Sequence, residues 1–313
     1  MSVVRVPLGE PDSETDNSAY VLPDRGVVVD PGPPRESAWR RLRDGLQSAG
    51  LAPGDVDHIL LTHWHSDHAG LLARLREESD ATVAMHESDA PLVADYERER
   101  ERRIERDARR MHGWGVPEPS ISEVRAQDDP SPGVEGVPVD GVEDGERVAG
   151  VELVHTPGHT LGHAAYRVDD AILVGDAVLP AYTPNVGGGD TRQRDALGDT
   201  LATLRRLESL APERVSPGHG GPLRLGPRIE AMRAHHDERN RRVFEAVGGG
   251  GDGTTPWEVA TALFGELRDI HVKLGAGEAA AHLVHLEDRD AVERVGDDPV
   301  RYVRGDGDPG VPT

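Results

Sequence analysis

The sequence predicts an α/β layered protein that ends in a small, mainly helical module. Up to residue 247, short β-branched runs alternate with amphipathic helical patterns, an order typical of a layered α/β domain. Residues 248–253 are five glycines and one aspartate, a composition that cannot form a packed element. From residue 254 to 313, two helical patterns and a strand-like tail indicate a winged-helix-like module. We therefore predict a main domain over 1–247 and a module over 254–313, joined by the linker 248–253.

The main domain contains eight predicted strands and five predicted helices. The strands are Val3–Leu8, Tyr20–Leu22, Gly26–Asp30, His58–Thr62, Thr82–Met85, Val151–His155, Ala164–Val168 and Ala171–Val174. The helices are Glu36–Ala49, Gly70–Glu78, Ser88–Arg110, Asp195–Leu210 and Arg228–Ala246. The last two strands are joined by a predicted hairpin turn, Val168–Ala171.

The C-terminal module contains two predicted helices and one predicted strand. Thr255 and Pro256 have the N-cap and first-turn pattern of a helix that ends at Phe264. A second helix is predicted over Ala276–Asp288, and Arg301–Arg304 is strand-like.

Composition excludes several classes of protein. The 313 residues carry 35 basic and 57 acidic side chains, a formal net charge of −22, and no cysteine. Without cysteine there is no disulfide, no thiolate nucleophile and no cysteine metal ligand. No apolar run approaches the ~18 residues of a membrane-spanning helix, and the amino terminus lacks the basic and apolar regions of a secretory signal. We expect a soluble, cytoplasmic protein that does not bind membranes.

The basic residues are all arginine except Lys273. An acidic surface that prefers arginine resembles proteins of halophilic archaea, in which high net charge maintains solubility and molar salt screens self-repulsion. A GC-rich genome explains the preference for arginine but not the net charge. The charge therefore indicates a halophilic origin.

A cluster of potential metal ligands follows the predicted strand His58–Thr62. Three histidines and one aspartate lie within six residues: His63, His65, Asp67 and His68. Side chains on a loop at the end of a buried strand can converge on an ion, whereas the same residues along an exposed helix would point apart. Two imidazoles spaced by one residue, followed by a carboxylate beside a third imidazole, can supply two adjacent metal sites. The alternative is a solvated, histidine-rich turn.

Four motifs in this order resemble those of the metallo-β-lactamase fold superfamily. They are H-x-H-x-D-H at 63–68, T-P-G-H-T-x-G at 156–162, the strand-end Gly175-Asp176, and P-G-H-G at 217–220. The resemblance covers residues 3 to 247. It implies a four-layer αββα sandwich, with the winged-helix-like module outside it, and an enzyme with two divalent metal ions.

The resemblance also assigns seven metal ligands. His63, His65 and His159 would hold the first metal, Asp67, His68 and His219 the second, and Asp176 would bridge them. This set resembles the glyoxalase II-like branch, and the absence of cysteine at the strand-end position disfavours a true β-lactamase. Nitrogen and oxygen ligands suit Zn²⁺, and also Fe or Mn. By this resemblance a metal-bridging hydroxide attacks the substrate, and Asp67 is the catalytic residue that orients the water and takes up its proton.

A loop after the strand-end aspartate narrows the resemblance. Residues 176–186 resemble a D-x-x-L-P-x-x-x-P-N-V loop. With the C-terminal module, this loop is similar to that of the β-lactamase-like-protein-2 type, whose animal mitochondrial members are endoribonucleases that act on single-stranded RNA. Tyr182 and Asn185 are candidate substrate-binding residues by their position in the loop, or they only shape it.

Three enzymatic functions are compatible with this resemblance. The first is hydrolysis of a small ester or thioester, such as a hydroxyacyl-thiol conjugate. The second is cleavage of single-stranded RNA. The third is an iron-dependent oxidation of the persulfide dioxygenase type, which the complete ligand set disfavours, and a non-enzymatic binding module is weaker still.

Charge discriminates between the first two functions. Residues 252–313 contain thirteen acidic and six basic residues, whereas neutralisation of phosphates drives non-specific binding of nucleic acid. We therefore predict a small-molecule substrate and rank nucleic acid below it. A homodimer would be an ordinary assembly.

The roles of three further groups of residues are considered next, and the first two groups have two interpretations each. Residues 88–138, with Trp114 as an apolar wall, either fold over the metals as a lid or pack outside the domain. His155 and His163 either orient metal ligands through hydrogen bonds or only pack. The pair His235-His236 is expected to pack or to cap its helix rather than to bind metal.

Overall fold

The computed structural model describes residues 2–9, 16–128, 136–249 and 251–310, and the chain divides into two compact units. The first unit contains residues 1–100, 130–184 and 204–228, and the second contains 101–129, 185–203 and 229–313. The second unit thus includes the predicted C-terminal module together with three earlier stretches, 101–129, 185–203 and 229–253. The predicted domain boundary stays a prediction. Gly250 of the linker and residues 129–135 of the predicted lid lie outside the described residues.

A six-stranded sheet forms the amino-terminal part of the first unit. Its strands follow one another in space as in the chain: β1 (Val4–Pro7), β2 (Ser18–Leu22), β3 (Val27–Val29), β4 (His58–Leu60), β5 (Thr82–His86) and β6 (Asp140–Val142). The first three strands are antiparallel, and β3 to β6 are parallel. β3 is buried throughout and β4 nearly so, which explains their short apolar runs.

A five-stranded sheet packs on the first. Its spatial order is β11 (Arg214–Pro217), β10 (Ala171–Gly175), β9 (Ala164–Val168), β8 (Val151–His155) and β7 (Arg147–Val148). The turn between β9 and β10 is the predicted hairpin, and Asp169 takes its left-handed position with φ of 51°. β8 and β10 both run antiparallel to β9, and β11 runs parallel to β10. The carboxyl ends of β8, β10 and β11 therefore lie at the same edge of this sheet.

Two apolar cores stabilise these layers. One lies between the two sheets and includes Leu60, Leu153 and Tyr166. The other lies on the outer face of the first sheet, beneath α1 (Glu36–Ser48) and α3 (Leu72–Ser79). Helix α1 forms because its apolar residues recur at helical spacing; the buried ones are Ala38, Trp39, Leu42 and Leu46.

The predicted helix Ser88–Arg110 is wrong as a single element. Two helices, α4 (Ala90–Ala94) and α5 (Tyr96–Gly113), replace it, because the backbone of Asp95 (φ −120°, ψ 50°) is not helical. The remaining helices outside the C-terminal module are α2 (Ser66–Ala69), α6 (Glu118–Ala126), α7 (Ala196–Leu210) and α8 (Leu225–Ala246). None of the described helices combines the length and the apolar character needed to cross a membrane.

The last described part of the chain contains α9 (Pro256–Phe264), α10 (Ile270–Glu287) and a hairpin of β12 (Val292–Asp297) and β13 (Val300–Arg304). Thr255 caps α9 as predicted, since its hydroxyl accepts the Glu258 N–H at 3.1 Å and the Glu258 carboxylate accepts the Thr255 N–H at 2.8 Å. The predicted C-terminal helical part is confirmed, and its winged-helix-like character stays a prediction.

A buried ion pair links three stretches of the second unit. The Lys273 ammonium lies 3.0 Å from one Asp107 oxygen, and the Thr191 hydroxyl donates to the other. Both charged side chains are nearly inaccessible to solvent. Removing Asp107 would leave the buried Lys273 ammonium without this partner, so Asp107 joins α5 to α10 and to the stretch 185–203.

Candidate metal centre

The seven predicted metal ligands all lie in the first unit on segments that follow strands; Asp67 and His68 are in the short helix α2, and the other five are on loops. His63, His65, Asp67 and His68 follow β4, His159 follows β8, Asp176 follows β10 and His219 follows β11. Since β8, β10 and β11 end at the same edge of their sheet, their loops emerge together. The Ala164 N–H donates to the Thr62 carbonyl at 2.8 Å and thus joins this edge to the loop after β4.

The first cluster consists of three imidazoles. His65 Nδ1 lies 3.0 Å from His63 Nε2 and 3.0 Å from His159 Nε2. The three nitrogens are mutually within 4.8 Å. Tetrahedral zinc at ~2.0–2.1 Å from each nitrogen would place its ligands ~3.3 Å apart, so this spacing suits a shared cation.

The second cluster combines one carboxylate with two imidazoles. Asp67 Oδ2 lies 3.5 Å from His68 Nε2 and 3.3 Å from His219 Nε2. These three ligand atoms are also mutually within 4.8 Å. Asp67 is the accessible member, with 43% of its side chain exposed, whereas the His68 side chain is 1% exposed.

Asp176 lies between the clusters. Its Oδ1 is 3.4 Å from His68 Nε2, and its Oδ2 is 3.3 Å from His219 Nε2 and 3.8 Å from His159 Nε2. The carboxylate is buried. One oxygen therefore faces the second cluster, and the other faces members of both.

Two buried polar atoms within this site have the chemistry of cation ligands. Within the described part of the chain, His68 Nε2 and Asp176 Oδ1 are inaccessible to solvent and have no hydrogen-bond partner. A buried polar atom without a partner costs ~1–3 kcal/mol. A divalent cation ligated by both atoms would remove this cost, so the residues present fit a metal.

Asp30, at the end of the predicted strand Gly26–Asp30, orients two of the candidate ligands. Its carboxylate accepts the Thr62 N–H at 2.8 Å, the Thr62 hydroxyl at 2.7 Å and His68 Nδ1–H at 2.9 Å. Because that hydroxyl donates to Asp30, it accepts from His63 Nδ1 at 3.0 Å. Both imidazoles are thereby fixed as tautomers whose Nε2 is left for metal.

Asp89, which sequence reasoning missed, holds the His159 loop. Its two oxygens accept the Thr160 hydroxyl at 2.7 Å and the Gly162 N–H at 2.8 Å, and its side chain is fully buried. Gly162 has no room for a side chain, since an added Cβ would lie 2.5 Å from the Asp89 nitrogen. The loop is therefore built around this carboxylate.

His155 and His163 make the hydrogen bonds that one interpretation expected. His163 Nε2 accepts the Asp176 N–H at 3.0 Å, which leaves its Nδ1–H to donate to the Thr156 hydroxyl at 2.8 Å. His155 Nε2–H donates to the Leu161 carbonyl at 2.9 Å, and the ring stacks on His86 with centroids 3.9 Å apart. His163 therefore holds the backbone of Asp176, and His155 holds the loop that carries His159.

The His219 loop is anchored on β2 and its preceding residues. The Tyr20 hydroxyl donates to the Pro217 carbonyl at 2.6 Å, and the Ser18 N–H donates to the Gly218 carbonyl at 2.8 Å. A Cβ at Gly218 would lie 2.3 Å from Asp176 Oδ1 and 2.8 Å from His68 Cε1. Glycine at this position allows the loop to pass directly beneath the ligands.

The two clusters differ in their charge state in the absence of metal. Burial, aided by the neighbouring imidazoles, lowers the pKa of His63 far below its usual value and that of His65 to about 3. Burial also opposes charge on His219, but Asp176 and Asp67 outweigh it and raise its pKa to about 9. The pKa of His68 is raised in the same way, by Asp176, Asp67 and Asp30 against the effect of burial. Protons thus occupy the carboxylate-rich cluster where a cation would bind.

The predicted substrate residues have different surroundings. Tyr182 lies partly buried in the first unit. The Asn185 amide is in the second unit, where it donates to the Leu274 carbonyl and to Glu278 and accepts the N–H groups of Gly188 and Gly189. These bonds hold the loop, and the role of both residues in binding substrate stays a prediction.

Trp114 and the pair His235-His236 lie in the second unit. Trp114 packs against a core that includes Met111 and Val272. His236 is buried beside His282, with ring centroids 5.5 Å apart, and neither belongs to a metal-binding cluster of the described residues. The lid role of residues 88–138 stays a prediction.

Replacing Asp89 by asparagine is expected to weaken metal binding without unfolding the protein. The amide nitrogen of asparagine can only donate, so the Thr160 hydroxyl would have to turn and accept from it. Both hydrogen bonds would also lose the negative charge that strengthens them, so that His159 is less well held. Loss of such an orienting group lowers metal affinity by ~10–100-fold. Competition with a chromophoric chelator measures the effect. The exposed Asp44→Asn serves as the control, and equal affinities for the two variants would contradict the role of Asp89.

Metal binding at pH 7 is expected to release protons. The raised pKa of His219, about 9, keeps it protonated in the metal-free protein at pH 7, and a metal must displace that proton. Affinity should therefore increase as pH rises from 7 toward 9. Titration calorimetry in buffers of different ionisation enthalpy counts the protons; a binding enthalpy that does not depend on the buffer would contradict this charge state.

Known proteins share both the motifs and the fold. Residues 14–219 match the sequence pattern of the metallo-β-lactamase superfamily. The chain is 27% identical to the "Probable metallo-hydrolase YqjP" of Bacillus subtilis, over 92% of each chain. It is 25% identical to the β-lactamase-like protein 2 homolog of Drosophila melanogaster, over 78% of this chain and 73% of that one.

A solved structure extends the similarity to nearly the whole chain. The metallo-β-lactamase family protein TTHA1429 of Thermus thermophilus is 31% identical to this chain. The match covers 96% of this chain and 98% of that protein, with a TM-score of 0.75. The predicted fold class is confirmed, and so is the prediction of a metal-dependent hydrolase. The chain belongs to the metallo-β-lactamase superfamily.

Proposed function

We propose that the protein is a two-metal hydrolase of small ester or thioester substrates, similar to hydroxyacyl-thiol hydrolases. The position of Asp176 supports two metals most directly, because its two oxygens reach His68 of one cluster and His159 of the other at 3.4 and 3.8 Å. Imidazole nitrogens and carboxylate oxygens suit zinc, and iron or manganese are alternatives.

We also propose that substrate reaches the site from the side on which Asp67 is exposed to solvent. It is the most exposed member of its cluster, and its Oδ2 is held by the Asn17 amide at 3.0 Å. Two divalent cations, when bound, acidify water and polarise a carbonyl oxygen. Asp67 would bind one cation and orient the attacking water from the solvent side, and the deeper Asp176 would keep the two cations at a fixed spacing.

The charge balance supports a small substrate over RNA. The chain has a net charge of −22. Non-specific binding of RNA, by contrast, is driven by basic side chains that neutralise phosphates. Cleavage of single-stranded RNA remains the second candidate, favoured by the similarity to the β-lactamase-like protein 2 homolog. An oxidative, persulfide-dioxygenase-like reaction ranks below both. We further propose a cytoplasmic protein, as a monomer or homodimer, from a halophile.

An activity panel in high salt tests this proposal. The metal-loaded protein is expected to hydrolyse thioesters or lactones and not phosphodiesters or single-stranded RNA. Asp176→Ala should lower the rate at least about a hundredfold, since it removes the shared ligand. Asp44→Ala, at an exposed position of α1, should have no effect.

Two outcomes would contradict the proposal. Cleavage of RNA without turnover of thioesters or lactones, lost in Asp176→Ala, would establish the ribonuclease instead. A purified native protein that binds no divalent metal would exclude both hydrolytic functions.

A further inference from the structure

The side-chain amide of Asn17 is in direct contact with a candidate metal ligand. Its nitrogen donates to Asp67 Oδ2 at 3.0 Å. Because a carboxylate oxygen only accepts, the amide must turn its nitrogen rather than its oxygen toward Asp67. Asn17 is buried, with 5% of its surface exposed, whereas the Asp67 side chain is 43% exposed. An enclosed donor therefore holds one oxygen of a carboxylate that faces solvent.

The two oxygens of the Asp67 carboxylate have different surroundings. Oδ2 accepts the Asn17 amide and lies 3.5 Å from His68 Nε2 and 3.3 Å from His219 Nε2. It is therefore the oxygen placed to bind a metal together with these two imidazoles. Oδ1 accepts no hydrogen bond from any residue in the described part of the chain. The carboxylate thus presents one oxygen to the second cluster and leaves the other for water.

The backbone of Asn17 is paired with the loop that carries His219. The two residues form an isolated antiparallel bridge, and the neighbouring Ser18 N–H donates to the Gly218 carbonyl at 2.8 Å. On the other side, the Leu8 N–H donates to the Asn17 carbonyl at 2.8 Å. The position of the amide relative to His219 is therefore fixed by backbone hydrogen bonds, which do not depend on a metal.

The Ser18 hydroxyl supports the same pairing through other contacts. It accepts from Arg5 Nε at 2.8 Å and donates to the Gly220 carbonyl at 3.0 Å. Side chains of successive residues in an extended chain point to opposite faces. Asn17 and Ser18 thus separate two effects, contact with Asp67 by the first side chain and support of the loop by the second.

We propose that Asn17 is a positioning residue that fixes how Asp67 binds the second metal, with Oδ2 on the metal and Oδ1 turned toward the attacking water. This inference rests on the two-metal site of the proposed function. A hydrogen bond to a charged acceptor is stronger than one between neutral groups, so it can hold Asp67 in one orientation although that side chain is partly exposed. Without the amide, the carboxylate can turn about its last side-chain bond, which has broad torsional preferences, and bind the metal through either oxygen or both.

Visible absorption of the cobalt(II)-loaded protein tests this proposal without a substrate. Cobalt(II) binds nitrogen and oxygen ligands as zinc does, and its absorption bands depend on the number and arrangement of those ligands. We expect Asn17→Ala to retain two metal ions per chain, since all candidate ligands remain, and to change the bands because Asp67 alters its coordination. Asn17→Leu, similar in shape to asparagine but without a donor, should change them in the same way. Circular dichroism confirms that each variant is folded.

Ser18→Ala is the matched control. Its bands should equal those of the unaltered protein, because the Ser18 N–H still pairs with the Gly218 carbonyl. Equal changes in Ser18→Ala and Asn17→Ala would show that this segment only supports the His219 loop, and would overturn the proposal. Loss of one metal ion from the Asn17 variants would also overturn it, since the amide would then be needed for binding rather than for orientation.

Steady-state kinetics of the two-metal enzyme give a second readout. Asn17→Ala should lower kcat about tenfold or more, the effect of losing one hydrogen bond to a charged group. KM should change less than about twofold, because the amide acts on water rather than on substrate. Unchanged kcat and unchanged cobalt bands in both Asn17 variants would contradict the proposal. If no substrate is hydrolysed, the proposed hydrolase function fails, whereas the cobalt bands still decide the role of Asn17.

Discussion

The buried carboxylate of Asp176 is the constraint on which the rest of the site depends. It lies between five imidazoles and a second carboxylate, and one of its oxygens finds no hydrogen-bond donor among the described residues. Burying such a charge is costly unless a positive charge compensates it. In the metal-free protein the protons on His68 and His219 supply that charge, and the proposed cations would replace them.

A second layer of side chains keeps this arrangement rigid. Asp30 orients His68 directly and His63 through Thr62, and Asp89 holds the loop that carries His159. His163 accepts the backbone N–H of Asp176 itself. The rings of His63 and His68, and the backbone that carries His159 and Asp176, are thus held before a metal arrives. The glycine at position 218 lets the backbone pass close to the Asp176 carboxylate. The site depends on its surroundings as much as on its ligands.

The sequence predicted which side chains would lie together, because they stand in short motifs at strand ends, where residue order and strand direction determine which segments meet. Their role as metal ligands stays a prediction. It did not reveal Asp89, which lies 71 residues from Thr160, because nothing near Asp89 in the chain signals that contact. Short or polar strands such as β6 and β7 carry too little apolar pattern to be detected. Helix α10 begins at Ile270 rather than at the predicted Ala276 because Gly275 and Gly277 weaken the helical signal. Gly277 is there for packing, since a Cβ would lie 2.5 Å from Gly188 Cα.

Anomalous diffraction from crystals of the metal-loaded protein tests the central claim most directly. We expect two anomalous-difference peaks ~3.5–4 Å apart, one for each metal. One should lie among the nitrogens of His63, His65 and His159. The other should lie among the ligand atoms of Asp67, His68 and His219, and Asp176 should contact both. A single peak at full loading, or peaks that Asp176 does not join, would contradict a two-metal site.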